Sequence, residues 1–331
     1  MPPPDLAILI PVFNGGRRLQ ETLRSIGKLD LEGVDAEVLV CDNASTDGAS
    51  QGLPDLLDNG ARVHVKRIDE NVGRVENWNQ VYGWAAERGA RYAWFLFVGD
   101  RAVPEARLAP LIHSMDDQGA GLALVRYVFL DEAGRRLGRA NRFRGGAAAV
   151  EPPTFLARTI GRGVWPFGPL QAHVIRIEGP DPLHFDATDP TFTDQVSMAR
   201  FVARSQRPII LWPRRLVAWV RSEERYHATL DPLRHFVLER TRVEALCEEL
   251  GTPADLHWAE TIRFLGLIKR RRVNPISARA LWHTYRNLRK ARRFSHPVAI
   301  RAALDALVAK TAMGRIPGRP IPATMTEEPR R

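Results

Sequence analysis

Four polar clusters each follow a short apolar run: Asn14-Gly15-Gly16, Asp42-Asn43-Ala44-Ser45, Asn71-Val72-Gly73 and Gly99-Asp100-Arg101. Phe13, just ahead of the first, offers a flat apolar face. Asp42 or Asn43 offers acceptors for a base N–H or a ribose hydroxyl, so the first two clusters can hold a nucleoside. A core aromatic and an Asx turn would also use these residues, although Asp47 can make the turn without Asp42. No GxGxxG turn and no Walker loop follows the first run. Phosphate charge, if phosphate is bound, must then be met by a metal or by arginines rather than by a glycine cradle.

The elements that must position these clusters read as βα units. Leu6 to Val12 is a buried strand, and Leu19, Leu23 and Ile26 follow at helical spacing. Further strands are expected at Ala36 to Cys41, Arg62 to Ile68 and Arg91 to Val98, with helices from about Asn77 to Glu87 and from Pro104 to Met115. Four such units imply a parallel sheet with functional loops at the carboxyl ends of its strands. Beyond Gly119 a hairpin of Leu122 to Leu130 and Arg135 to Arg142 is expected, then a strand from Leu170 to Ile177. Thr193 is placed to cap a helix whose Val196, Met198, Phe201 and Val202 face the core, followed by short strands at Ile209 to Leu211 and Leu216 to Val220. From about Leu230 only helices are expected. The division is thus 1–118 for a nucleotide-binding half, 119–229 for an acceptor half and 230–331 for a basic helical region.

The strings Leu9-Ile10-Pro11-Val12-Phe13-Asn14, Val40-Cys41-Asp42-Asn43-Ala44-Ser45-Thr46-Asp47-Gly48 and Glu70-Asn71-Val72-Gly73-Arg74 with Asn77-Trp78-Asn79 resemble the family 2 glycosyltransferases. The likeness is close over about the first 115 residues and weaker to about His227. It implies an α/β chain of GT-A fold, a Rossmann-like, mostly parallel sheet with an acceptor subdomain and a C-terminal helical extension. The implied activity is inverting transfer of a sugar from a nucleotide-sugar donor, with Pro11, Phe13, Asn14, Asp42, Asn43, Gly73, Arg74 and Asn79 at the donor site. Asn71, Gly73 and Asn79 can equally serve to shape the third loop and its helix.

Relatives commonly carry two carboxylates, Asp-any-Asp, on the fourth loop, holding Mg²⁺ or Mn²⁺ against the diphosphate. Here the loop is Gly99-Asp100-Arg101-Ala102, with one carboxylate. Two readings are open: Asp100 is the main protein ligand of a divalent cation, or Arg101 supplies part of its charge. The resemblance also implies an acid at the start of a helix in the acceptor half, as the base that deprotonates the acceptor hydroxyl. Thr191-Phe192-Thr193-Asp194-Gln195-Val196 occupies that place, so Asp194 is the expected base, kept anionic by the helix dipole, with Asp186 and Asp189 as fallbacks. Farther on, Arg221 and Arg225 are placed to neutralise the leaving diphosphate and His227 to ligate a metal or a phosphate oxygen. The Gln/Arg-x-x-Arg-Trp motif and membrane spans of polymer-building relatives are missing, which favours addition of one sugar to a hydroxyl of a glycan or lipid-linked acceptor in cell-surface polysaccharide or glycoconjugate synthesis. A sugar nucleotidyltransferase, and a non-catalytic protein that binds glycan or membrane, are the competing readings.

Composition bounds the rest. The chain has 331 residues, 44% hydrophobic and 26% charged, enough for a full-sized core. No run approaches the ~18 apolar residues that span a bilayer, and the first ten residues lack the features of a secretion signal. Cys41 and Cys247 make no disulfide framework or zinc motif, so a cytoplasmic location is expected. Of the net charge of +10, the segment from Thr261 to Ile316 contributes +13, fourteen Lys or Arg against Asp305 alone, leaving −3 for the remainder. Interleaved with Phe264, Trp282 and Tyr285, this charge suits the anionic inner face of the cytoplasmic membrane, where each cation contributes about 1 kcal/mol. Helices packed on the body with solvated arginines outside are the alternative; nucleic acid is not an expected partner.

Overall fold

Leu6–Val12 is an unbroken apolar run, and every residue of it is buried as strand β1. A strand covered on both faces has no use for polar alternation. In the computed structural model, which describes residues 2–104, 106–140, 146–162, 167–177, 183–188, 192–220, 232–253, 264, 278–290, 297 and 318–322, β1 lies between β2 (Ala36–Asp42) and β4 (Tyr92–Phe95), parallel to both. The edge strand β3 (Arg62–Arg67) runs parallel to β2. Leu6, Ile8, Ile10 and Val12 point to the face covered by helix α1 (Gly16–Ile26) and helix α3 (Ala109–Asp117), whereas Ala7 and Leu9 pack with Trp78 and Tyr82 of α2 (Arg74–Glu87). The period of two along β1 thus divides the core into two layers. Tyr92, Trp94 and Phe95 of β4 are fully buried, each contributing roughly 2 kcal/mol by removing apolar surface from water.

Beyond α3 the sheet continues without a break. The long strand β6 (Leu122–Leu130) pairs with β7 (Arg136–Ala140) as the expected hairpin, and β9 (His173–Arg176) lies antiparallel between β4 and β6. β10 (Ile209–Val220) runs parallel to β6. Consequently β3, β2, β1, β4, β6 and β10 all run the same way, and β9 alone among these central strands is reversed. Helix α4 (Pro152–Arg158) and helix α5 (Thr193–Ser205) pack on the α2 side through Phe155, Met198 and Val202.

Several expectations are corrected. The two short strands after Ile209 are one strand, because register shifts around Pro213 and Arg214 absorb a residue that cannot donate to the ladder without ending the pairing. α2 begins at Arg74, three residues early, and α3 begins only at Ala109, with Pro110 rather than Pro104 in its first turn. β4 ends at Phe95, and Arg101–Ala102 forms a two-residue strand, β5, against β10. Residues beyond 230 are not helices alone. After α6 (Pro232–Glu249) and α7 (Ala278–Lys290) the chain returns as β11 (Arg319–Pro320), antiparallel to β8 (Ala148–Val150) at the sheet edge. The approach needs glycine at 318, where a Cβ would meet the Ala149 carbonyl at 2.8 Å. Ile321 is buried behind it. Among the described residues no helix is long and apolar enough to cross a membrane.

Candidate active site at the carboxyl edge of the sheet

The loops after β1 and β2 hold each other. Asn14 sits in the left-handed region at φ 51°, which asparagine tolerates. Its backbone N–H donates to Ser45 Oγ at 2.9 Å and its Oδ1 accepts from the Thr46 N–H at 2.8 Å. Asp42, fully buried, accepts from the Ser45 N–H at 2.8 Å, from the Ser50 hydroxyl and from Arg67 Nη1 at 2.8 Å. Burial pushes its carboxyl up, but the hydrogen bonds from Ser45 and Ser50 and the Arg67 charge prevail and hold it below the ordinary Asp range. These bonds close the Asx turn that the same residues can also build. Pro11 is buried in β1, at a position past the end of β4 where its missing N–H leaves no partner short. Phe13 differs from all of these. Its side chain is 50% exposed at the sheet edge, so its apolar face is open to a ligand.

Asn43 ties the second loop to the third. Its Nδ2 donates to Asn71 Oδ1 at 3.0 Å and its Oδ1 accepts from the Val72 N–H at 2.9 Å. Its side chain is buried and engaged at both ends. Gly73 turns the chain into α2 at φ 87°, a conformation open to glycine and strained for other residues. Asn79 makes a two-way pair with the Phe185 backbone, donating from Nδ2 at 2.9 Å and accepting at Oδ1 at 2.8 Å. Its amide is thus used to dock α2 on the segment before α5. Arg74 leaves the first turn of α2 with an exposed guanidinium 5.0 Å above the Trp78 ring, which in turn meets Phe97 and Phe185.

Asp100 is fully buried, accepting from the Val220 N–H at 2.9 Å and from Gln171 Nε2, so it fastens the fourth loop to the last strand of the sheet. Thr22 of α1 holds the same loop, accepting from the Gly99 N–H at 3.0 Å and donating to the Asp100 carbonyl at 2.9 Å. Arg101 lies in β5 with Nη2 3.6 Å from Glu21 Oε2. Hard cations need several oxygen ligands turned toward one point. Among the described residues no group of three His, Cys, Asp or Glu converges in that way, and Asp100 is enclosed by protein donors. Asp100 is the one expected metal ligand among the described residues, and its carboxylate also anchors the fourth loop. Arg221, Arg225 and His227 lie outside the described residues, as does Asp189.

Asp194 stands in the first turn of α5, partly accessible to solvent yet deeply surrounded by protein. Burial pushes its carboxyl above the ordinary Asp range, against the opposing pull of Gln195 hydrogen bonds and the Arg74 charge. The helix dipole was expected to keep the group anionic; desolvation is the larger effect. Thr193 is the first helical residue rather than a cap, and its buried Oγ1 has no hydrogen-bond partner. Asp186 accepts from the Thr188 N–H and hydroxyl, which hold it below the ordinary range and make it the poorer base. Gln195, Gln171 and Arg67 escaped sequence reasoning. Only Gln195, adjacent to Asp194, carried a local signal.

Comparison with known proteins agrees with this architecture. The profile described as Glycosyl transferase family 2 matches residues 7–176. The chain belongs to that family of transferases. It is 32% identical over 145 residues to the uncharacterized protein MT1568 of Mycobacterium tuberculosis (strain CDC 1551 / Oshkosh), a match spanning 43% of each chain. Less than half of that relative is thus covered. Among solved structures, S. aureus TarS 1-349 in complex with UDP-GlcNAc superposes with a TM-score of 0.56 at 17% identity, covering 83% of this chain and 77% of that one. The same protein in complex with UDP gives 0.53 at 18% identity over 83% and 76%. At such identities the likeness shows the fold, which is GT-A.

Proposed function

We propose that this chain transfers a single sugar from a nucleotide-sugar donor to a hydroxyl of a glycan or lipid-linked acceptor, with inversion at the anomeric carbon, in cell-surface polysaccharide or glycoconjugate synthesis. Asp194 carries the reading: a partly buried carboxylate, raised by desolvation, at the start of a helix beside the cationic Arg74. A base whose affinity for protons is raised toward the working pH takes a proton with better driving force. In the reaction the acceptor oxygen bonds to the anomeric carbon as Asp194 takes its proton. The bond from that carbon to the phosphate oxygen breaks, and its electron pair departs with the nucleoside diphosphate. Arg74 stabilises the departing charge, and Phe13 stacks on the nucleoside. Arg221 and Arg225 remain proposed partners of the diphosphate. A divalent cation, Mg²⁺ or Mn²⁺, remains a proposed cofactor, with Asp100 and His227 as its proposed ligands. An anionic membrane surface engaged through 261–316 belongs to the same reading, for a cytoplasmic enzyme peripheral to the inner face.

The fold shared with TarS, solved with UDP and with UDP-GlcNAc, supports UDP-sugars as the first donors to try. Incubation with UDP-, GDP- and dTDP-sugars, candidate acceptors and added Mg²⁺ or Mn²⁺ should release a nucleoside diphosphate. Release of pyrophosphate instead, or activity that survives Asp194→Asn, overturns the assignment.

A further inference from the structure

We infer that the outward face of α7 is a docking surface for an anionic lipid bilayer. Leu288 of α7 is buried, and Leu281, Thr284 and Tyr285 are half-buried beside it, with the Tyr285 ring 6.1 Å from that of Phe264. This inward stripe is already packed. The opposite stripe, Arg279, Trp282, His283, Arg286, Arg289 and Lys290, is exposed throughout and recurs at the three- and four-residue spacing of one helix face. It carries four permanent cations and no acid. Solvent-facing helices ordinarily mix both signs of charge.

Trp282 stands in the middle of this stripe, 60% exposed, its ring stacked on Tyr285 at 5.4 Å and 30°. An indole held against a neighbouring ring and surrounded by cations matches the headgroup layer of an anionic bilayer: the ring enters the interface and the cations meet lipid phosphates. A single-stranded nucleic acid is a poorer match, because the proteins that bind it track its backbone with a groove and the face of one helix is convex. Along the chain α7 lies between α6, whose Val243 and Leu246 are in the core, and β11 on the sheet edge. Docking α7 therefore holds the covalently linked sheet near the membrane. The surface deepens the proposed function by placing the enzyme beside a lipid-linked acceptor, and its binding is measurable without turnover.

Full-length protein should sediment with vesicles of phosphatidylcholine containing about one third phosphatidylglycerol, and not with phosphatidylcholine alone. Raising the salt should release it. Combined Arg279→Glu, Arg286→Glu and Lys290→Glu substitutions should weaken partitioning by at least about tenfold, and Trp282→Ala should weaken it while leaving the salt response intact. These positions are exposed, so melting temperature should be unchanged; the wild-type salt titration stands independently of any variant. Asp194→Asn should bind vesicles like wild type, which separates failure of docking from failure of the proposed catalysis. Equal partitioning onto neutral and anionic vesicles, wild-type binding by the charge-reversed variant, or displacement from vesicles by single-stranded RNA at equal phosphate concentration would each overturn the proposal.

Discussion

Gln195 grips both carboxylate oxygens of Asp194: its backbone N–H donates to Oδ1 at 2.9 Å and its side-chain Nε2 to Oδ2 at 3.2 Å, while the same Nε2 donates to the Gly168 carbonyl at 2.6 Å. The carboxylate is thereby fixed in orientation by its own neighbour, and that neighbour is anchored to a different segment. Hydrogen bonds to the ionised form lower a pKa, so removing one must raise it. Gln195→Leu should therefore shift the acid limb of the pH–rate profile to higher pH and lower kcat about 10–100-fold with little change in KM. A variant that is merely less well folded would lose active fraction without moving the limb.

Asp194→Asn should lower turnover about 10²–10⁴-fold, the range of positioned acid–base catalysis. The same substitution should stabilise the protein. A carboxyl raised above its unfolded value makes the native state lose stability as pH climbs from the ordinary Asp range through the native value, and asparagine has no such dependence. Thermal unfolding of both proteins across the acid-to-neutral range should show the variant overtaking wild type as pH rises. A variant that melts below wild type at neutral pH refutes this.

Asp42 should behave in the opposite sense. Its native carboxyl is held below the ordinary range, so its contribution is present at neutral pH and is lost as pH falls through the native value. Asp42→Ala strands Arg67 and two serine donors, and should cost about 3 kcal/mol of stability by denaturant titration. Near-wild-type stability would mean that the loop has another anchor.

Phe13→Ala separates recognition from folding. Because the ring is half exposed, stability should change by less than about 0.5 kcal/mol. Loss of a base-stacking partner should weaken UDP binding by about 1–3 kcal/mol, measured by calorimetry. Unchanged affinity would move the nucleoside elsewhere along the sheet edge.

The alternation of apolar runs and polar clusters was legible because a central parallel strand must be apolar throughout and its loop must be polar. β1, β2 and β6 accordingly lie where their residues predict. Boundaries set by pairing were not legible: β4 is shorter than its apolar run, and β10 passes through Pro213 because its register shifts there. β11 could not be read from two residues, since Arg319 and Pro320 become a strand only against β8.

The sequence by itself determined which residues carry chemistry, that they gather at one edge of a parallel sheet, and that the excess positive charge belongs to a C-terminal segment. Only the tertiary structure decided which partners within the chain those residues meet. Asp42, Asn43 and Asp100 have the right chemistry to meet a ligand, and partners distant in sequence, Arg67, Asn71 and Val220, hold their polar atoms in place. Phe13 and Arg74 stay exposed, and Asp194 only partly so. A side chain's type sets what it can bind, but which partners reach it is fixed by the packing of segments far apart in the chain.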